Sequence, residues 1–357
     1  MSIYTSLPPM KNRLGILAAL ALLCAMVVSC TPTSPQVAGG SGDGVPPGAH
    51  KTEPANANTA RHGGVAEVKI DQTDATYVGR KICEECHAHA AEHADQGAHV
   101  KAFTANPRSS QQGEVCEACH GPGSKHATDT LNRAYIIGYT RDWGTPVQTQ
   151  NAQCLSCHQG GQRLYWVQST HDTNGVACSD CHNPMLKNSV TGALLRASIA
   201  QTCYTCHPQQ RAEFLRRSHM PVPEGKMSCE DCHNPHGSPT RPLLKADTIN
   251  EVCYACHAEK RGPFIWEHAP VRENCATCHL PHGSNNDKLL ITSRPMLCQQ
   301  CHQTSGHVGQ FYNGSESAAA ALLPGGLQSP RAIGRSCQNC HVQIHGSNHP
   351  AGARFQR

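Results

Sequence analysis

Ten copies of one short motif, Cys-x-x-Cys-His, lie between residues 83 and 341 of this 357-residue chain. In this motif the two thiols can form thioether bonds with the edge of a porphyrin, and the histidine that follows them can bind its iron. The cysteines of the motifs are Cys83, Cys86, Cys116, Cys119, Cys154, Cys157, Cys178, Cys181, Cys203, Cys206, Cys229, Cys232, Cys253, Cys256, Cys275, Cys278, Cys298, Cys301, Cys337 and Cys340. The predicted proximal ligands are His87, His120, His158, His182, His207, His233, His257, His279, His302 and His341. The pattern predicts ten covalently bound c-type haems.

Two other uses of cysteine explain this pattern less well. Only two of the 22 cysteines, Cys24 and Cys30, fall outside the motifs. A disulfide scaffold has no need for a histidine after every second cysteine. Zinc sites pair Cys-x-x-Cys units, but they do not require Cys-Cys-His as a fixed triplet. Covalent haem is therefore the interpretation that accounts for all ten copies.

The histidines outside the motifs are candidates for the second, distal ligand of each iron. Of 24 histidines, ten are proximal and two, His50 and His62, lie in a polar N-terminal segment, so twelve remain for ten positions. The predicted distal ligands are His99, His126, His171, His219, His236, His268, His282, His307, His345 and His349. His89 and His93 are left over, and either could replace His99 or His349.

The spacing of these histidines is patterned. His171 and His268 each lie seven residues before the first cysteine of the next motif. His236 follows the proximal His233 by only three residues, so it cannot reach the opposite face of the same haem and must serve another haem or none. Met185 has the corresponding position in its own repeat. A His/Met haem would have a raised potential, but enough histidines exist without it, so we expect Met185 to pack.

The composition agrees with a chain that folds around cofactors. Aromatic residues make up 4% and hydrophobic residues 38% of the sequence, which leaves little to build a large apolar core. Porphyrins would supply that apolar surface, and we expect the haem-free chain not to fold. The formal charge of +4 is no argument for nucleic-acid binding, because ten haems would add on the order of twenty propionate carboxylates.

The same composition predicts short structural elements. Gly (31 residues) and Pro (24 residues) are abundant, so regular segments should be brief. Helices are expected just after motifs, for example over 206–217 and 256–267. The predicted fold class is a multihaem cytochrome c with short helices and loops wrapped around a chain of haems. Five motifs precede residue 210 and five follow it, which suggests two tandem pentahaem halves, 77–210 and 211–357.

The N-terminal sequence predicts an export signal. Basic residues precede an apolar run from Leu14 to Val28 that is short for a membrane span. The sequence VVSC ends at Cys30 and fits a bacterial lipobox, with a lipoprotein signal peptide over 1–29 and lipidation of Cys30; an ordinary cleaved signal is the alternative. Thr31, where an inner-membrane retention signal would have Asp, favours the outer membrane. Residues 30–76, rich in Pro, Gly and Ser, are predicted to be a flexible tether on the periplasmic side.

The motifs and the segments between them resemble the periplasmic decahaem cytochromes of the MtrA/DmsE family. The phrases PVPEGKMSCEDCHNPHGS, FIWEHAPVRENCATCHLPHGS and CQNCHVQIHGSNHP carry the resemblance, which covers about residues 77 to 354. It implies bis-histidine ligation throughout and a haem-packed chain inserted in an outer-membrane β-barrel porin. It also implies electron transfer between periplasmic or inner-membrane cytochromes and an extracellular multihaem cytochrome or reductase. The lipobox and the long tether depart from soluble members of the family.

Chemistry at the iron is disfavoured by the predicted ligands. A haem with two histidine ligands has no open position for a substrate, and such haems move electrons. The Cys-x-x-Cys-Lys variant often found in multihaem nitrite reductases does not occur in this sequence. We therefore predict no catalytic residue and an electron-transfer function, with a tethered periplasmic shuttle as the first alternative and a multihaem reductase as the second.

Overall fold

The computed structural model describes residues 66–190, 192–303, 335–350 and 352–356. All of these residues belong to one unit of the chain, Pro54–Arg357. The predicted signal peptide, the Cys30 lipidation site, most of the tether and His307 lie outside the described residues. Within them, no helix is both long and apolar enough to cross a membrane.

Twelve short helices make up the regular structure of the described residues. They are α1 (Arg80–Ala94), α2 (Ala98–Ala105), α3 (Ser110–Gly113), α4 (Glu117–His120), α5 (Ser124–Thr128), α6 (Val147–Leu155), α7 (Thr170–Thr173), α8 (Ile199–Tyr204), α9 (Pro208–Phe214), α10 (Ile249–Tyr254), α11 (Ala269–Glu273) and α12 (Met296–Gln299). Single 3-10 turns connect them, and the described residues form isolated β-bridges but no β-strand. The predicted fold class of short helices and loops is confirmed.

One of the two helices expected after motifs was wrong. The segment 206–217 contains α9, with Pro208 at its first turn, where the missing N–H of proline costs nothing. The segment 256–267 contains only a 3-10 turn over Ala258–Lys260. Gly262 follows in a left-handed conformation (φ +87°) and Pro263 comes next, and both stop a helix at this point.

From the third motif onward, the motifs alternate between two local structures. Every odd-numbered motif begins near the end of a helix: α6, α8, α10 and α12 contain Cys154, Cys203, Cys253 and Cys298. The even-numbered motifs begin instead on a 3-10 turn, at Cys178, Cys229, Cys275 and Cys337. The chain is therefore built from doubled motifs, one helical and one in a turn.

The N-termini of two of these helices are capped alike. The side chains of Ser198 and Thr248 accept hydrogen bonds from the backbone N–H groups of Gln201 and Glu251. Such caps satisfy backbone donors that a short helix leaves unpaired. They fix where each helix begins, and thus where its motif cysteine lies.

A loop that closes back on its own motif follows each turn motif; we call these the return loops. They span 182–194, 233–244, 279–290 and 341–355. The first three are closed by β-bridges that join His182 to Leu194, His233 to Leu244 and His279 to Leu290. Near its end, each loop has a non-glycine residue in the left-handed conformation. These residues are Ala193, Leu243, Leu289 and Phe355, with φ of 48°, 61°, 59° and 53°.

The buried interior of the described residues is small and partly polar. Its apolar members include Ile137, Trp166, Phe214 and Leu290. Thr145 and Ser284 are the largest side chains that are fully buried, while Leu215 is 73% exposed. An interior of this kind offers little hydrophobic stabilisation for a chain of this length.

Candidate haem-binding sites

The proximal histidines of five motifs are held by the same contact. In each, ring Nδ1 lies at hydrogen-bond distance from a backbone carbonyl further along the chain: His120 from Ile137 (2.7 Å), His182 from Gly192 (2.6 Å), His233 from Pro242 (2.8 Å), His279 from Lys288 (2.8 Å) and His341 from Arg354 (2.5 Å). A carbonyl only accepts, so Nδ1 must donate its hydrogen. The contact fixes the tautomer and leaves Nε2 as the atom available to iron.

Seven proximal histidines face a second imidazole at the spacing that an iron atom requires. With metal–nitrogen bonds of about 2 Å, two axial imidazoles have ring centroids about 6 Å apart. The observed centroid distances are 6.4 Å for His87–His126, 5.7 Å for His158–His99, 6.0 Å for His182–His236, 6.2 Å for His207–His171, 6.2 Å for His233–His282, 6.2 Å for His279–His345 and 6.0 Å for His302–His268. These pairs have about the ring spacing of a six-coordinate haem iron. The Nε2 atoms of His99 and His158 lie 3.4 Å apart, closer than two in-line metal–nitrogen bonds would place them.

The facing rings follow one rule in the return loops. His236, near the start of the loop of the sixth motif, faces His182 of the fourth motif. His282, in the loop of the eighth motif, faces His233 of the sixth. His345, in the loop of the tenth motif, faces His279 of the eighth. Each of these loops therefore places a histidine against the turn motif two positions earlier.

A second rule applies to the histidines that precede an even-numbered motif. His99, His171 and His268 come before the second, fourth and eighth motifs, and they face His158, His207 and His302 of the third, fifth and ninth. By the same rule His219, which precedes the sixth motif, would serve His257 of the seventh.

The return loops also hold histidines of the second kind in place. Ring Nδ1 of His171 donates to the carbonyl of Pro235 (2.7 Å), and that of His268 donates to the carbonyl of Ile344 (3.0 Å). Pro235 and Ile344 are the residues just before His236 and His345. Each of these two loops thus carries one histidine that faces one motif. Through a backbone carbonyl it also orients a second histidine, which faces a different motif.

Burial keeps many of these rings neutral, which is the form that binds a metal. The pKa of His236 is lowered to about 4, mainly by burial and then by His182. Burial is also the main cause that lowers the pKa of His99, His126, His207, His233 and His345.

Other histidines of the described residues have different neighbours. Within the described residues, no imidazole lies at this spacing from His120 or His257. His89 and His93 contact each other, with their Nε2 atoms 3.1 Å apart. The Nε2 of His219 lies 3.0 Å from a carboxylate oxygen of Glu224, which raises the histidine pKa.

The first cysteines of each doubled motif meet in pairs. Hydrogen bonds between their side chains join Cys83 to Cys116, Cys154 to Cys178, Cys203 to Cys229, Cys253 to Cys275 and Cys298 to Cys337. The pKa of Cys253, for example, is raised to about 12, first by burial and then by Cys275. All twenty motif cysteines are free thiols and so are available for thioether bonds.

The second cysteines connect one doubled motif to the next. Burial raises the pKa of Cys119, Cys181, Cys232 and Cys278, and a cysteine of the following motif raises it further: Cys157 acts on Cys119, Cys206 on Cys181, Cys256 on Cys232 and Cys301 on Cys278. Hydrogen-bonded first cysteines and electrostatically coupled second cysteines alternate from Cys83 to Cys337. The ten motifs therefore form one unbroken succession.

Two asparagines that the sequence analysis did not single out connect the two motifs of a doubled motif by hydrogen bonds. Asn151 and Asn250 are buried, and each lies three residues before the first cysteine of a helical motif. Each side-chain oxygen accepts a hydrogen bond (2.8 Å) from the backbone N–H of the first cysteine in the next motif, Cys178 or Cys275. Their shared distance from the motif was the signal that could have identified them.

Comparisons with known proteins identify the class to which the chain belongs. The family model described as "Doubled CXXCH motif" matches residues 219–262 and 268–307, and the model "Cytochrome c-type protein NrfB-like" matches residues 116–194. The chain is a multihaem c-type cytochrome that binds haem covalently. It is 43% identical over 210 residues to the multiheme cytochrome MtrA of Shewanella baltica (strain OS185), which covers 59% of this chain and 61% of that relative. The resemblance to the MtrA family is confirmed.

Proposed function

We propose that this chain is a decahaem cytochrome that conducts electrons across the outer membrane within a β-barrel porin complex. Covalently bound haem supplies a one-electron couple whose potential depends on axial ligands, burial and nearby charge. The observation that carries the proposal is the succession of motif cysteines from Cys83 to Cys337, in which each motif has a cysteine near a cysteine of the next. A series of sites without a gap suits conduction over a distance better than reaction at one place.

The ligands proposed for the ten irons are the motif histidines and ten distal histidines. The proposed distal set is His99, His126, His171, His219, His236, His268, His282, His307, His345 and His349. Six-coordinate sites of this kind favour electron transfer over reduction of a small molecule, so no residue of the chain is assigned a catalytic role.

The proposed location is the periplasmic side of the outer membrane, with a lipid on Cys30 and residues 30–76 as the tether. A lipid anchor holds a protein to one leaflet and does not carry it across the membrane. The proposed partners are an outer-membrane β-barrel porin, periplasmic or inner-membrane cytochromes, and an extracellular multihaem cytochrome or reductase. The similarity to MtrA supports this arrangement.

Purification from outer membranes in mild detergent, followed by mass spectrometry, tests the proposal. We expect a stoichiometric β-barrel partner and an intact mass for this chain that includes ten haems and a lipid. Reconstitution of that complex into liposomes that enclose an electron acceptor should then allow reduction from outside. Recovery of the chain alone, lipidated and fully loaded, would contradict the conduit and favour the tethered shuttle.

A further inference from the structure

The return loop at 182–194 presents a methionine where the other return loops present a histidine. Met185 follows His182 by three residues, as His236 follows His233 and His282 follows His279. If the loops are built alike, the sulfur of Met185 has the place of a distal ligand.

The backbone of this loop matches that of the loop at 233–244 contact by contact. The N–H of Asn183 donates to the carbonyl of Ala193 at 2.7 Å, as that of Asn234 does to Leu243 at 2.8 Å. The side chain of Asn183 accepts from the N–H of Met185 at 3.0 Å, and that of Asn234 accepts from His236 at 3.2 Å. Met185 and His236 therefore leave the same turn at the same position.

The neighbours of the two loops also correspond. The loop at 233–244 packs closely against the segment that leads to His171, because a Cβ at Gly237 would lie 2.1 Å from the carbonyl oxygen of Tyr165. The loop at 182–194 packs against the segment that leads to His99, with the glycine on the other partner: a Cβ at Gly97 would lie 2.6 Å from the carbonyl oxygen of Pro184. Leu186 can therefore replace the glycine that follows the histidine in the other loops.

The rule of the return loops names the iron that this position would serve. Loops of the tenth, eighth and sixth motifs face the proximal histidines of the eighth, sixth and fourth. The next step of the series takes the loop of the fourth motif to the second, whose proximal histidine is His120. Nδ1 of His120 donates to the carbonyl of Ile137 (2.7 Å), which leaves Nε2 for iron.

We propose that Met185 is the distal ligand of the haem attached at Cys116 and Cys119, which makes it a His/Met haem. Met185 then takes the place of one of the ten proposed distal histidines, and nine haems keep bis-histidine ligation. Among the described residues no imidazole faces His120, and its nearest aromatic partner is the edge of Tyr139, with ring centroids 5.3 Å apart. Methionine as an axial ligand raises the potential of a haem. This site would therefore have the highest potential of the series. The inference rests on the proposed distal ligation by the other return loops.

The test uses the purified, haem-loaded chain, so its result does not depend on whether a porin partner exists. Near-infrared magnetic circular dichroism of the wild type should show the charge-transfer band of one methionine-ligated ferric haem beside the bis-histidine bands. The variant Met185→Leu should lose that band, gain one high-spin haem and lose the highest-potential component of a redox titration. In Met185→His the band should be replaced by bis-histidine signal, with the potential of that component lowered.

Two controls separate ligation from packing and from the rival ligand. Met227 is also partly buried, and Met227→Leu should change neither the band nor the potential. His93, in the last turn of α1, is an unassigned histidine and so a rival ligand, and His93→Ala should leave the spectrum unchanged. Absence of a methionine band in the wild type, or a high-spin haem in His93→Ala but not in Met185→Leu, would overturn the proposal.

Discussion

The chain before residue 160 and the chain after it hold their motifs in different ways. After residue 160, return loops of one design each place a side chain toward one motif and pack against the segment that orients a ligand for another. Before residue 160 no such loop follows the second motif; His126 turns back instead to His87 of the first motif. Under the proposed ligation, shared ligands hold the repeated region together, whereas the first region depends on conventional side-chain hydrogen bonds.

The strongest of those hydrogen bonds centre on one buried carboxylate. Glu117, only 3% exposed, lies within the second motif, between Cys116 and Cys119. Its oxygens accept from the backbone N–H groups of Val78 (3.0 Å), Gly79 (2.8 Å) and Gly123 (2.8 Å). The segment before α1 and the turn before α5 are thus joined to one motif. Each region therefore depends on different contacts, and variants can disturb one region without the other.

Removal of all haems should have the largest effect and should abolish the difference between the regions. A variant with Ala at all twenty motif cysteines has neither shared ligands nor porphyrin surface, and the buried apolar set that remains is small. We expect no cooperative thermal transition in far-UV circular dichroism. A cooperative fold in this variant would contradict the dependence on haem in both regions.

Loss of one distal histidine should have the next largest effect. Variants of this kind can be made in each of the two regions and compared. His236→Ala should produce one high-spin haem, visible by electron paramagnetic resonance, because the ring that faces His182 is gone. His126→Ala should do the same for the first motif, whereas His62→Ala, in the predicted tether, should change nothing.

A second pair of variants identifies which haem responds to His236→Ala. Deletion of the haem of the fourth motif by Cys178→Ala and Cys181→Ala should remove the new high-spin signal. Deletion at the sixth motif by Cys229→Ala and Cys232→Ala should leave it. The reverse result would mean that the return loop serves its own motif, against the facing of His236 and His182.

The sequence predicted the chemistry of the sites better than their connections. The ten motifs and the short-element fold follow from spacing and composition, because thioether attachment and iron ligation need fixed residue types at fixed intervals. Which distal histidine faces which motif did not follow, since His236 and His182 lie 54 residues apart and meet only when two return loops pack. The role of Glu117 could not be predicted either, because a carboxylate in the middle of a motif looks like a solvated residue until its burial is known.

Steric change at a return loop should destabilise the repeated region. A Cβ at Gly237 would lie 2.1 Å from the carbonyl oxygen of Tyr165, and its φ of +114° is strained for any other residue. We expect Gly237→Ala to lower stability by about 3 kcal/mol, since overpacking and backbone strain each cost roughly 1–3 kcal/mol. Thermal denaturation followed in the Soret band measures this.

The matched control for that variant is Gly113→Ala. Gly113 ends α3, and a Cβ there would meet nothing within 4 Å. Its stability should be unchanged or slightly higher, because alanine favours the helix. Equal losses from the two glycine variants would show that the close packing of the return loop is unimportant.

The smallest effect expected is at Glu117, in the first region. Glu117→Gln keeps the shape of the side chain but replaces one acceptor oxygen by an NH2 group, which would point toward backbone donors such as the N–H of Val78 or Gly123. Hydrogen bonds to a charged group contribute about 1.5–3 kcal/mol each, so we expect a loss of about 2 kcal/mol. Glu85→Gln, at an exposed position of α1, should cost less than about 0.5 kcal/mol.

Hydrogen exchange read by mass spectrometry should localise the loss to residues 76–128, with the return loops protected as in the wild type. A loss of protection that extends to 233–290 would show that the two regions are not held independently.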